Sequence, residues 1–242
     1  MSLLAILLIA AIGSLIGAVG LGGFMMVPVL MLLENTTVRQ SVIIATVAFL
    51  ASGFASLAVR PQHPGGAQAR RSFLLAAAPG AIGGALAVHA AREGLLTLFI
   101  SLGFIVVGLG EWYGRPRAGL VRDIGRGTAA TGGLITGFAS ALTGTSGPMV
   151  AMPMLAWAGL QLPERVALAQ VAQIPVALGA TLAFVSFGEV PWTLTAISSA
   201  ALCCGLVGGM LLARRIKAGR LRRLAAILMW CAAAVMMSKI QW

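Results

Sequence analysis

Two short segments hold the residues best suited to chemistry. The first is GAVGLGGFMMVPVL, Gly17 to Leu30, in which Gly20, Gly22 and Gly23 crowd ahead of Pro28. The second is ALTGTSGPMVAMPML, Ala141 to Leu155, which brings the hydroxyls of Thr143, Thr145 and Ser146 next to Gly144 and Gly147. Each reads as a helix, a glycine-rich break and a short apolar helix with an internal proline. A helix that restarts after a break presents unpaired N–H groups and a partial positive charge, which suits an anion. The N–H groups of Thr145 to Gly147 are expected to be free at such a start. Those of Gly20, Gly22 and Gly23 have no side chain to block approach. Together they would hold an oxyanion without a buried arginine. The other chemistry on offer is nucleophilic attack by Ser146 in GTSGP, which needs a base within hydrogen-bond reach. The histidines, His63 in a loop and His89 near a helix end, are poorly placed for that role.

The elements that position these segments follow from composition. Of 242 residues, 59% are hydrophobic and only 10% charged, and the mean hydropathy is +0.97. A soluble domain carries about 25% charged residues, so an ordinary water-soluble enzyme is excluded. About 20 apolar residues make one helical crossing of a bilayer. Eight hydrophobic stretches can be read, near 3–33, 40–59, 72–90, 94–112, 127–160, 166–187, 192–213 and 221–240. The fold class is an all-α polytopic membrane protein. The net charge of +11 lies in loops between these stretches. It is explained by the bias of basic residues toward the cytoplasm, not by nucleic-acid binding. No Lys or Arg precedes Arg39, so the N-terminus lacks the basic region of a signal peptide and is expected to be retained. Cys203, Cys204 and Cys231 fit no metal or CxxC spacing and are read as packing residues. No cofactor is implied.

The two glycine-rich breaks belong to a duplication. At a shift of 125 residues Gly22 falls on Gly147, Pro28 on Pro153 and Leu30 on Leu155. The same shift sets Gly80, Gly83 and Gly84 on Gly205, Gly208 and Gly209, a GxxGG pattern read as close helix packing. The chain divides into a first repeat, 1–117, a cytoplasmic linker, 118–125, and a second repeat, 126–242. Each long stretch, 3–33 and 127–160, is expected to enter and return on one side as a helical hairpin. That arrangement gathers Arg60, Arg70, Arg71, the four arginines between 115 and 126, Arg165 and the six cations between 214 and 223 on one side. Only Arg39, Arg92 and Lys239 remain opposite, as the positive-inside bias requires. A hairpin plus three transmembrane helices changes side an odd number of times, so the second repeat is expected to be inverted. Both termini would then be periplasmic and the loop 113–126 cytoplasmic.

GLGGFMMVPVL and TGFASALTGTSGPMVAMPML are similar to the paired signatures of the sulfite exporter TauE/SafE family. VIIATVAF (Val42 to Phe49) and the GAIGGAL and GLVGGML segments resemble it too, so the similarity covers nearly the whole chain. The resemblance implies a permease of the bacterial inner membrane for small sulfur oxyanions or organosulfonates, usually in export. Gln170, Gln173 and Pro175 depart from the pattern, which would carry a smaller hydroxyl residue near Gln170.

Gln170 and Gln173 stand three apart on one helix face, and Thr46 holds nearly the corresponding place in the first repeat. They serve either interhelical hydrogen bonding or the substrate path. Glu34, Glu111 and Glu189 fall at segment ends and are expected to be solvated. His89 is read as interfacial, and Trp112, Trp192 and Trp242 as interfacial anchors. With no acidic residue at mid-membrane, a cation site or carboxylate proton relay is disfavoured. The expected function is export of a small sulfur-containing anion such as sulfite, thiosulfate or a short organosulfonate. The expected mechanism is alternating access in a chain that is not an enzyme. Gly20, Gly22, Gly23, Thr143, Thr145, Ser146 and Gly147 would bind the anion, and Thr46, Gln170 and Gln173 would line its path. An anion channel, a permease for a non-sulfur anion and an intramembrane serine hydrolase are the alternatives. The expected partners are the small anion and the lipid bilayer, with a homo-oligomer compatible and nucleic acid excluded.

Overall fold

The computed structural model describes residues 1–19, 22–59, 67–113, 125–145, 147–157, 162–212 and 218–238, and these are all helical apart from turns and caps. In chain order the helices are α1 (Leu3–Val19), a 3-10 turn (Gly23–Met25), α2 (Met26–Leu33), α3 (Val38–Val59), α4 (Ala67–Ala90) and α5 (Glu93–Tyr113). They continue as α6 (Arg126–Thr143), α7 (Gly147–Trp157), α8 (Leu162–Ser186), α9 (Trp192–Leu212) and α10 (Ala218–Ser238). Helix α4 starts earlier than its apolar run because Gln68, Arg70 and Arg71 continue the helix past the hydrophobic part.

The outer surface is apolar. Leu75, Leu211 and Val106 are 76%, 74% and 66% exposed, which in water would be a large aggregating patch and in a bilayer is lipid contact. Four helical segments, Val38–Ala55, Gln68–Ala90, Ala167–Ser186 and Trp192–Leu211, are long and apolar enough to cross a membrane. Among the described residues α5 and α10 carry further apolar segments, Glu93–Leu109 and Ile227–Ser238.

The first long stretch folds back on itself. At its far end Glu34 accepts hydrogen bonds from the Ser2 N–H at 2.7 Å and the Ser2 hydroxyl at 2.8 Å. The N-terminal ammonium lies 3.7 Å from its other oxygen. From Gly22 to Glu34 the return limb is about 18 Å long at 1.5 Å per residue, little over half the roughly 30 Å hydrocarbon core. The second long stretch also doubles back, since the Thr136 hydroxyl of α6 reaches the Met154 sulfur of α7 at 3.4 Å.

Packing between the halves is reciprocal. Helix α1 of the first half lies on α9 of the second, and α6 of the second lies on α4 of the first. A Cβ added at Gly205 or Gly209 would strike the carbonyls of Ala10 and Ser14, and one at Gly80 or Gly84 those of Leu134 and Phe138. The order of these contacts along each helix makes both pairs parallel. Lipid tails are as apolar as the helices, so such pairs are held by van der Waals contact, which small residues maximise. The Ser14 hydroxyl adds a bond to the Gly205 carbonyl at 3.0 Å.

One end of the bundle collects the described acidic side chains of the first half. Beside Glu34, Glu93 accepts the Arg39 N–H at 3.3 Å, while the Arg39 guanidinium donates to the Ala91 carbonyl at 2.8 Å. His89 Nδ1 lies 2.8 Å from Glu189 Oε1 of the second half, with its ring stacked on Phe187. Glu34 and Glu189, expected to be simply solvated, are therefore partnered: each has a backbone, terminal or imidazole donor brought to it by a helix end.

Candidate functional site

The first break needs glycine. Gly22 has φ 137°, in the region L side chains avoid, and it starts the 3-10 turn with no side chain capping it. The turn delivers Phe24 into the core, where its ring meets Phe104 of α5 edge-on at 5.8 Å. The second break ends α6 with Gly144 in the left-handed conformation, φ 58°.

The second break reaches the short helix that follows the first. A Cβ on Gly144 would stand 2.8 Å from Val42 Cα of α3 and 3.0 Å from Val27 Cγ2 of α2. Three residues on, Gly147 opens α7 against α8, within 3.4 Å of the Gln173 backbone and 3.6 Å of the Ala169 carbonyl for an added Cβ. The same turn of α8 carries Gln170, which reaches the Ile16 carbonyl in α1 at 3.3 Å. One turn of α8 is thus flanked by the second break and tied to the helix that leads into the first.

The donors expected to face an anion are mostly engaged elsewhere. The Thr145 N–H, expected to be free, donates to the Ser140 carbonyl at 3.2 Å. The left-handed Gly144 curls the chain so that α6 closes on its own last carbonyls. The Thr143 hydroxyl donates to Ala139 at 2.6 Å and lies 2.8 Å from that of Thr145, which therefore donates to it. Thr46 donates to Val42 of its own helix at 2.7 Å. Both hydrogens of Gln173 Nε2 are taken, by the Phe49 carbonyl at 3.1 Å and the Ser52 hydroxyl at 2.8 Å. The first-turn backbone N–H groups of the 3-10 turn and of α7 have no intrahelical acceptor by helix geometry. Gly20 and Ser146 lie outside the described residues, as does His63.

Further buried serines lie close to these residues. Ser140 and Ser101 are buried, and neither hydroxyl has a partner. Gly103, two residues beyond Ser101, faces the Thr143 methyl, so α5 borders the second break. Ser52 holds Gln173. Nothing in the local sequence marks these serines, because their roles come from helices far apart in the chain.

Three of the described polar side chains are shut off from the surface. Gln173 is 1% exposed, Gln170 2% and Thr145 3%. An apolar crevice lined by Pro28, Met31, Leu32, Val235 and Met236 offers no polar group and belongs to the lipid-facing side. Buried polar groups flanking two broken helices inside an apolar bundle are the arrangement of a membrane transporter, in which irregular backbone is tolerated only where it serves a cavity. The family model of the sulfite exporter TauE/SafE matches residues 3–236, nearly the whole chain. The chain belongs to the TauE/SafE family. It is accordingly a multi-pass membrane protein of a family of sulfite exporters. No curated protein and no solved structure matches it.

His89 sits at one end of the bundle against Glu189 and not beside the breaks.

Proposed function

We propose that this chain exports a small sulfur-containing anion, sulfite, thiosulfate or a short organosulfonate, across the bacterial inner membrane by alternating access. The observation that carries the reading is that Gly147 of the second break packs on the turn of α8 from which Gln170 reaches Ile16, in the helix that leads into the first break. The anion would be held by backbone N–H groups at Gly20, Gly22 and Gly23 and at Ser146 and Gly147. Thr143 and Thr145 would shape the second break, and Thr46, Gln170 and Gln173 would line the path.

The two repeats, 1–117 and 126–242, are read as inverted about the linker 118–125. Reciprocal packing of α1 on α9 and α4 on α6 supports this, and so do the two doubled-back stretches. The end bearing Met1, Glu34 and Glu93 is read as periplasmic, and the end where α4, α6 and α8 begin with Arg70, Arg126 and Arg165 as cytoplasmic. An inside-negative potential then drives anion exit by about 2.3 kcal/mol per charge per 100 mV. Burial of the polar cluster favours a carrier over an open channel, because an occluded site must be exposed to each side in turn.

The test is counterflow in vesicles reconstituted with the purified protein. Preloading with unlabelled sulfite or thiosulfate should accelerate entry of the labelled anion and saturate with concentration. Linear, unsaturating flux would mean a channel, and no flux of any sulfur anion would remove the reading.

A further inference from the structure

The amides of Gln170 and Gln173 are oriented by what surrounds them. Each Nε2 faces a backbone carbonyl, of Ile16 at 3.3 Å and of Phe49 at 3.1 Å. Turning either amide over would set two acceptors against each other, so the nitrogen must be where it is. Both Oε1 atoms are consequently buried acceptors without a hydrogen-bond partner. Buried polar groups are nearly always paired, and each exception calls for an explanation. Two exceptions on successive positions of one helix face, in the turn against which Gly147 packs, point to a partner supplied from outside the chain.

A fully deprotonated oxyanion cannot be that partner. Its oxygens only accept hydrogen bonds, and they would be repelled by the partial negative charge of an amide oxygen. What completes this turn is a group with an N–H or O–H of its own.

We propose that the substrate joins one negatively charged oxyanion group to a hydrogen-bond donor, either as a protonated oxyanion or as an organosulfonate with a hydroxyl or ammonium group. Its charged oxygens face the backbone N–H groups of the breaks, and its donor pairs with Oε1 of Gln170 or Gln173. This rests on the anion-export reading and narrows its substrate class. The selection acts by negative discrimination as well: an anion without a donor leaves the amide oxygens unpaired and approaches them at an electrostatic cost.

Binding to the detergent-purified protein decides it, by titrating ethanesulfonate against 2-hydroxyethanesulfonate and 2-aminoethanesulfonate, which differ in one terminal group. One well-placed hydrogen bond is worth about tenfold in dissociation constant, so the hydroxyl or amino compound should bind at least that much tighter. Sulfite measured on the acid and the alkaline side of its second ionisation separates the protonated-oxyanion source from the sulfonate source. Tighter binding on the acid side assigns the donor to the oxyanion itself. In Gln170→Met, which loses a single interhelical bond, the preference for the hydroxyl or amino compound over ethanesulfonate should shrink. Equal binding of the three sulfonates, with no acid preference for sulfite, would overturn this inference and leave the export reading standing. Failure of every sulfur anion to bind would overturn both.

Discussion

The side-chain amide of Gln170 donates from Nε2 to the carbonyl oxygen of Ile16 at 3.3 Å, joining positions 154 residues apart in the chain. The bond ties α8 in the second half to the last turn of α1 in the first, just before the glycines of the first break. Movement of α1 relative to α8 must break it.

Replacing Gln170 with leucine removes one paired donor and one unpaired acceptor together. Interhelical hydrogen bonds in membranes average about 0.6 kcal/mol, so thermal stability in detergent should change by less than about 1 kcal/mol. Vesicle flux of the sulfur anion should fall at least tenfold. A large loss of stability with normal flux would make Gln170 a structural strut only.

The glycines divide into those that touch a backbone and those that do not. Gly205 meets the Ala10 carbonyl, whereas a Cβ on Gly208 meets nothing within 4 Å. Gly205→Ala should destabilise the protein by about 1–3 kcal/mol through overpacking of α1 on α9. Gly208→Ala, on the lipid-facing side of the same helix, should be neutral or stabilising by up to about 1 kcal/mol from helix propensity. Melting of the two variants in one detergent checks the pair, and equal effects would contradict the parallel packing of α1 and α9.

Gly22 is held at φ 137°, and an added Cβ would press to 3.0 Å from the Leu15 side chain. Gly22→Ala should therefore cost about 1–3 kcal/mol of backbone strain and abolish transport by misdirecting the 3-10 turn. Normal flux in this variant would detach the first break from the site.

The mouth of the first hairpin is sensitive to acid. The Ser2 backbone N–H bonded to Glu34, aided by the Ser2 hydroxyl and the N-terminal ammonium, holds the carboxyl below the usual carboxylate range against the opposing effect of burial. A carboxylate with a lowered pKa contributes its stabilisation at neutral pH and loses it as pH falls through that lowered value. Amide exchange at Ser2 and Ala5 should quicken only in acid below the ordinary carboxylate range. In Glu34→Gln it should be faster already at neutral pH and show no further step on acidification. An unchanged exchange profile in the variant would mean that Glu34 does not close the hairpin.

The parts of this fold written in local patterns could be read in advance. Glycine clusters and prolines mark both breaks, and the spacing of Gly80 with Gly84 and of Gly205 with Gly209 is that of a close-packed helix face. Helix ends such as Ala67 were displaced because hydropathy reports the lipid-embedded part of a helix and not its length. The state of individual donors was hidden. Whether the Thr145 N–H is free depends on the left-handed turn at Gly144, a property of the backbone that the glycine permits but does not dictate. The partners of Gln170 and Gln173, namely Ile16, Phe49 and Ser52, lie 121 to 154 residues away, beyond the reach of any periodicity. Glu189 looked solvated for the same reason: its partner His89 comes from the other half.

The central claim is that the two breaks form one site for a sulfur-containing anion. A thermal-shift panel on detergent-purified protein tests it most directly, with sulfite, thiosulfate, taurine, sulfoacetate, sulfate, chloride and acetate. A ligand at ten times its dissociation constant stabilises by about 1.4 kcal/mol, so even a weak substrate is visible. Stabilisation by one or two sulfur anions, none by chloride or acetate, and loss of the effect in Gly147→Leu are expected. Equal stabilisation by all seven compounds, by none, or by the same anions in wild type and Gly147→Leu would contradict it.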